Sequence, residues 1–204
     1  MKLYYSPGAC SLSPHIVLHE AGIEHEVEKV DTKAKKTASG ADFWAVNAKG
    51  SVPVIELDDG QFLTEGPAIV QYIADQVPGK KLVPAAGTME RYRMQEMLNF
   101  ITSELHKGYS PLFNPGISDD MKAIVRETLY KKYAYIDGVL AKDGPYLFGK
   151  DFSVADAYLF TVSTWAKHTG VDIEKFPAVS KFMATMKARP SVQSAMEMEG
   201  TKAA

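Results

Sequence analysis

The sequence predicts an α+β protein of two domains, and three observations predict it. Residues 1 to about 76 alternate short strand-like and helix-like pieces, whereas no convincing strand pattern follows them. A stretch rich in breakers separates the two patterns, since Pro78, Gly79, Pro84 and Gly87 all fall within 77–87. Beyond it, positions 121, 124, 125, 129, 133, 136, 139 and 140 carry Met, Ile, Val, Leu, Tyr, Ile, Val and Leu, a sustained helical stripe. Residues 1–80 therefore read as a mixed domain, 81–87 as a linker and 88–204 as an all-helical bundle.

In the first domain, 2–6 and 25–30 read as strands with a helix over 12–21 between them, closed by Gly22. That βαβ unit implies a parallel pair and a right-handed crossover. A short helix is expected within 41–47. Strands at 54–57 and 61–64 flank Asp58-Asp59-Gly60, a strong hairpin signal. A further helix is expected over 67–76. The order βαβ, helix, ββα is the thioredoxin-like arrangement.

In the second domain, a helix over about 89–108 places Met94, Met97, Leu98, Ile101 and Leu105 on one face. Asn99, Ser103 and His106 share the opposite face, ordinarily solvated surface. Ser118 caps the next helix, whose first turn carries Asp119 and Asp120 to match its positive end. Ser153 and Asp156 have the spacing of a capping box. The helix they open, 154–165, is apolar nearly all round and is expected at the bundle centre. Pro177 suits the first turn of a helix carrying Val179, Phe182, Met183 and Met186, with Pro190 after its end.

Composition narrows the class of function. The chain has 204 residues, 46% of them hydrophobic, 24% charged, with a net charge of -2, so no basic field argues for nucleic acid or an anionic membrane. The N-terminus lacks the apolar run of a signal peptide, and no segment reaches the ~20 apolar residues of a membrane span. The single cysteine excludes an intrachain disulfide, and the reducing cytosol is the expected compartment.

That cysteine, Cys10, lies in SPGACSLSPH between turn formers and a polar helix start. Free cysteines often sit buried as small hydrophobes. Placement after Pro7 and Gly8 favours a presented thiol, whose pKa falls at a helix N-terminus. Ser11 is placed to donate to its sulfur. Ser13 stands where a resolving cysteine would be, which excludes dithiol oxidoreduction and leaves a monothiol route with a partner thiol from solution. Gly50-Ser51-Val52-Pro53 puts a proline at the entry to the third strand, where thioredoxin folds use a cis bond and an ordinary protein a strand-starting proline. Thr64-Glu65-Gly66-Pro67 ends a strand and opens a helix; its free N–H groups suit a carboxylate, and Glu65 suits an ammonium. His15 and His19 have metal-ligand spacing, but Glu20 and His25 are the only nearby third ligands and no second motif supports them, so no metal is expected. Lys33, Lys35 and Lys36 form a loop cluster that ordinarily is solvated.

Jointly, KLYYSPGACSLSPHI, VPVIELDDG, LTEGPAIVQYIAD, LNFITSELHKGYSPLFNP and FSVADAYLF resemble the glutathione S-transferases, specifically the bacterial beta class, over essentially the whole chain. The resemblance implies the glutathione transferase fold, a homodimer, and conjugation or thiol exchange of glutathione with hydrophobic electrophiles in detoxification. Peroxidase or disulfide reductase activity accompanies this, because Cys10 is expected to form a mixed disulfide with glutathione. It further implies that Cys10 contacts the glutathione sulfur, Lys35 the glycine carboxylate and Val52 the cysteinyl backbone. Glu65 and the Gly66 amide hold the γ-glutamyl end; many relatives have Ser at the latter position. Asn99 and Ser103 reach the neighbouring subunit's glutathione, and His106, with Lys107, faces the sulfur region as the proton-handling group. Tyr109, Leu112, Phe113 and Trp165 are candidates for a substrate pocket or for core. The alternatives are glutathione-dependent reductive dehalogenation of chlorinated aromatics and a non-catalytic ligand-binding or stress protein on the same fold.

Overall fold

A computed structural model describes residues 1–201, apart from the Asp143 side chain. By contact the chain divides into two units, one of residues 1–83 with the C-terminal segment from 188, the other of residues 84–187. The predicted second domain, 88–204, thus gives up its last helix to the first unit; positions 202–204 lie outside the described residues.

In the first unit, β1 (Lys2–Tyr5), α1 (Leu12–Ala21) and β2 (Glu26–Asp31) form the expected βαβ unit, with Leu3 opposite Val27 in a parallel register. A short β3 (Lys36–Thr37), absent from the sequence reading, pairs antiparallel with β2. Its two residues carry no alternation to detect. After α2 (Phe43–Val46), the hairpin β4 (Val54–Glu56) and β5 (Phe62–Thr64) joins β1 antiparallel, giving a five-stranded sheet ordered β3-β2-β1-β4-β5. The hairpin turn is made by Gly60, at φ 81, whose N–H donates to the Leu57 carbonyl at 2.9 Å. Helix α3 (Gly66–Asp75) buries Ile69, Val70, Ile73 and Ala74. Helix α1 is buried through Leu18, because α3 lies on one side and the final helix, α10, on another.

The second unit is helical. It runs through α4 (Met89–Phe100), α5 (Lys107–Tyr109), α6 (Asp119–Asp143), α7 (Val154–Ser163), α8 (Ala166–Thr169) and α9 (Pro177–Lys187); α10 (Pro190–Met198) then returns to the first unit. The single helix expected over 89–108 is interrupted by a π-helical segment, Ile101–His106. The apolar stripe of α6 is buried at Leu129, Tyr133, Ile136 and Leu140, whereas Met121 and Ile124 at its start are more than half exposed. All ten residues of α7 are buried, as its largely apolar sequence predicts. Pro190 does more than terminate α9: it opens α10, an amphipathic helix that proline punctuation hid.

Ser118 caps α6, its Oγ accepting from the Met121 N–H. Ser153 and Asp156 form the expected capping box at α7. The Asp156 carboxylate, with no exposed surface, accepts from the Ser153 N–H at 2.8 Å and the Ser153 hydroxyl at 2.6 Å, and from the Leu147 N–H at 2.8 Å. Removing Ser153 deletes one side of that arrangement, whereas removing Asp156 orphans buried donors from two segments. Ser153→Ala is expected to lose about 0.5–2 kcal/mol. Asp156→Ala should lose on the order of 3 kcal/mol or more. Denaturant midpoints in that order verify the ranking; equal midpoints refute it.

Candidate glutathione site

Cys10 lies just before α1, half-buried, in a run of turns in which Ala9 N–H donates to Ser6 O and Leu12 N–H to Ala9 O, both at 3.0 Å. Its Sγ donates to the Val52 carbonyl at 3.3 Å. The loop that supplies this carbonyl enters β4, and the Val52–Pro53 peptide bond is cis. The half-buried thiol thus meets the backbone of that loop. Ser11 does not serve the sulfur as expected. Its fully buried hydroxyl accepts the Ser6 N–H at 3.1 Å and donates to the Ser6 carbonyl at 3.2 Å, closing the turn from inside.

The loop before Val52 is tightly held. Lys35, at φ 55, donates from Nζ to the Gly50 carbonyl at 2.6 Å and lies 5.4 Å from the Trp44 ring centre. Gly50 has φ 60, and a Cβ there would come within 2.5 Å of Trp44, so only glycine fits. Asn47 Nδ2 adds a bond to the Ser51 carbonyl at 2.7 Å.

Glu65 sits between β5 and α3 at φ 70, ψ 112, a sparsely populated region for a residue with a side chain. The strain directs an exposed carboxylate outward at the start of α3, whose first turn begins at Gly66 and Pro67. Lys49 Nζ pairs with Glu65 at 2.5 Å and donates to Thr64 Oγ1 at 2.7 Å. The sequence reading missed Lys49. Its one signal is a cation at the edge of the Gly50–Pro53 loop, and nothing in spacing links it to Glu65.

In the second unit, Asn99, Ser103 and Lys107 are exposed and His106 is half-buried along α4, the π-helical segment and α5. Leu98, Ile101, Leu105 and Tyr109 are buried, so the polar and apolar stripes stay on separate faces despite the wider turn. Such π-helical turns are frequent at functional sites. His106 Nδ1 shares a 2.6 Å hydrogen bond with the Tyr158 hydroxyl, and the ring meets Trp165 edge-on at 4.9 Å. Tyr158, unflagged by sequence, is one of four polar side chains on a largely apolar helix, with Asp156, Thr161 and Ser163. Trp165 also meets Tyr109 and Phe113 at 5.9 and 5.7 Å. Tyr109 is core: it is fully buried and its hydroxyl bonds that of Tyr133 at 2.9 Å, while Leu112, Phe113 and Trp165 keep exposed surface.

With this geometry described, known proteins give the family. The N-terminal domain of the glutathione S-transferases matches residues 8–76, and their C-terminal domain matches residues 100–190. Glutathione S-transferase GstA of Escherichia coli O157:H7 is 46% identical over 202 residues, covering 99% of this chain and all of the relative. The chain belongs to the glutathione S-transferases. A sphingomonad glutathione S-transferase solved with glutathione is 44% identical, with a TM-score of 0.94, covering 99% of this transferase and all of the other. The same identity, TM-score and coverage hold for the beta-class enzyme of Sphingomonas chungbukensis. BphK, a bacterial relative solved as a ternary complex, is 55% identical, with a TM-score of 0.95, over 98% of this chain and all of that one. These relatives place the transferase in the bacterial beta class, with glutathione as co-substrate, and do not favour dehalogenation over transfer. Among the described residues, no helix is long and apolar enough to cross a membrane.

The turn under Cys10 makes a prediction of its own. Ser11→Ala leaves the Ser6 N–H and carbonyl without their shared partner, and should lose about 1–3 kcal/mol of stability. It should also slow alkylation of Cys10 or scatter its rate, since the turn positions the sulfur. A variant with parental stability and parental alkylation kinetics shows the hydroxyl to be dispensable.

Proposed function

We propose that Cys10 is the redox partner of glutathione in this transferase, so that thiol–disulfide exchange stands beside conjugation. The observation that supports it is the chain's only thiol donating to the Val52 carbonyl, on the loop proposed to bind the cysteinyl backbone of glutathione. A tripeptide bonded to Val52 would bring its sulfur to Cys10. Lys35, beside Gly50, is proposed for the glycine carboxylate. Glu65, with the Gly66 amide, is proposed for the γ-glutamyl end, where the substrate ammonium replaces the Lys49 ammonium.

In the proposed exchange the Cys10 thiolate attacks one sulfur of a glutathione disulfide. The S–S bond breaks, a glutathione thiolate leaves, and Cys10 holds the other half as a mixed disulfide. A second glutathione thiolate attacks the glutathione sulfur of that mixed disulfide and restores Cys10, so two electrons and the thiol protons balance. His106 is proposed as the proton-handling group, its ring fixed by the Tyr158 hydroxyl, with Lys107 supporting the same anion. In conjugation, the glutathione thiolate attacks a hydrophobic electrophile directly, a detoxifying role expected in the cytoplasm.

Asn99 and Ser103 are proposed to bind the glutathione of a second subunit in a homodimer. What supports this is their exposure beside the half-buried His106.

Two measurements test these assignments. Incubated with glutathione disulfide, the parent should gain one glutathione per chain by intact mass and lose it to excess glutathione; Cys10→Ser should gain none. A parent that stays unmodified refutes the redox role. For the shared site, Asn99→Ala should weaken glutathione binding about five- to thirty-fold by calorimetry, a loss of about 1–2 kcal/mol. Parental affinity in an intact dimer removes Asn99 from the site, and a monomer with parental affinity removes the shared site.

A further inference from the structure

Three of the chain's five histidines stand together at the C-terminal end of α1, among residues that no step above uses. His15 and His19 are one helical turn apart on α1, and His25 follows the Gly22 turn into β2. One imidazole nitrogen from each lies within 4.8 Å of the other two. The ring centres are 5.2 Å apart for His15 and His19, 5.5 Å for His15 and His25, and 5.1 Å for His19 and His25.

The outer contacts assign the inner lone pairs. His25 Nδ1 donates to the Ile23 carbonyl at 2.8 Å, which leaves Nε2 as its free acceptor. His15 Nδ1 lies 3.0 Å from the Glu199 carboxylate, the same orienting pair that metal-bound histidines use. The Nε2 atoms of His15, His19 and His25 are all buried and have no hydrogen-bond partner among the described residues. His15 has no exposed surface at all. A buried, unpaired imidazole nitrogen is unfavourable, and three in one place are better explained by a shared partner than by packing. On the sequence, His15 and His19 lacked a supported third ligand; the turn after α1 supplies it.

We infer that His15, His19 and His25 form a site for a zinc-class divalent cation, with a water as fourth ligand. Neutral imidazoles select first-row transition ions and not calcium or magnesium, which take oxygen ligands. Nitrogens at about 2.0–2.1 Å from a tetrahedral ion are about 3.3–3.4 Å from one another, so each pair closes by no more than about 1.5 Å from the 4.8 Å bound. His19 and His25 also line an open pocket of about 540 Å³ with Glu24 and Met198, so the cluster borders solvent. The ion would join α1, the start of β2 and, through Glu199, the segment after α10. Because it binds the assembled site more tightly than the unfolded chain, it would raise thermal stability with the logarithm of its free concentration above the dissociation constant.

The test uses the full chain without an affinity tag, freed of metal by chelation and titrated with zinc chloride and, separately, cobalt chloride. Parent and Cys10→Ser should each bind one zinc per chain, and cobalt should give the visible absorption of a tetrahedral nitrogen site. His19→Gln and His25→Gln, both at partly exposed positions, should weaken binding by about 100-fold or more and abolish the zinc-dependent rise in melting temperature. Circular dichroism and glutathione binding verify that each variant is folded; the cobalt spectrum of the parent stands even if one is not. The inference is overturned if the parent binds no ion, if Cys10→Ser loses the ion, or if both histidine variants bind as the parent does.

Discussion

The first unit is organised around one buried carboxylate. Glu199, 5% exposed just beyond α10, accepts the Gly8 N–H at 2.9 Å through one oxygen and meets His15 Nδ1 at 3.0 Å through the other. A carboxylate out of water is tolerated only where both oxygens are satisfied, so the end of the chain has one seat. That seat fixes the turn at Gly8 (φ 68), which leads into Cys10. Glu20 repeats the arrangement one face further along α1, accepting from Arg189 Nε at 2.7 Å and from the Ser191 hydroxyl at 2.5 Å. Two carboxylates thus lock α10 to α1, and α1 carries the presented thiol at its start. The turn that leads to Cys10 is thus held by residues near 190–199.

The helical unit uses the same chemistry for its own ends. Asp156 gathers the start of α7 and the Leu147 N–H; Asp137, within α6, accepts from the Ala178 and Val179 N–H groups at 2.7 and 3.0 Å and so caps α9 from another helix. Each carboxylate meets the unpaired donors and positive end of a helix, where its charge is favoured. A chain of hydroxyls, Tyr109 to Tyr133 to Ser163, carries the polar bonding through the centre, and burial raises the Tyr133 pKa to about 12. Gly108 lets α5 approach α6, since a Cβ there would come within 2.8 Å of Leu129. These contacts place the π-helical turn that carries Ser103 and His106 against a rigid interior.

Glu65 and Gly50 are the two positions where local preference yields to the site. Glu65 adopts a conformation that suits glycine, and Gly50 is glycine because Trp44 occupies the space of a side chain. One is strained with its charge turned outward; the other is emptied to make room for Trp44. Both lie in the stretch from Lys49 to Gly66 that is proposed to hold glutathione, and neither conformation is written in residue type alone.

Where the signal is local, the sequence by itself determined the outcome. The period-2 and period-3.6 patterns marked β1, α1, β2, the β4–β5 hairpin and α3 to within a residue or two. Ser118 and the Ser153–Asp156 pair marked helix starts, because a cap bonds only its own first turn. Cys10, preceded by Pro7 and Gly8, was legible as lying in a turn just before α1 for the same reason. What only the tertiary structure decided involves partners far apart in the chain. The π-helical turn arises in a segment whose sequence reads as continuous α-helix. Ser11 turns from the sulfur to Ser6 because its own hydroxyl is fully buried and the Ser6 backbone is within reach. Tyr158 meets His106 across 52 residues, Lys49 meets Glu65 across 16, and Glu199 meets His15 across 184. His25 joins His15 and His19 only once the Gly22 turn has folded back. Side chains so separated carry no mutual period, and their pairing is fixed by packing and by the cost of leaving a buried polar group alone.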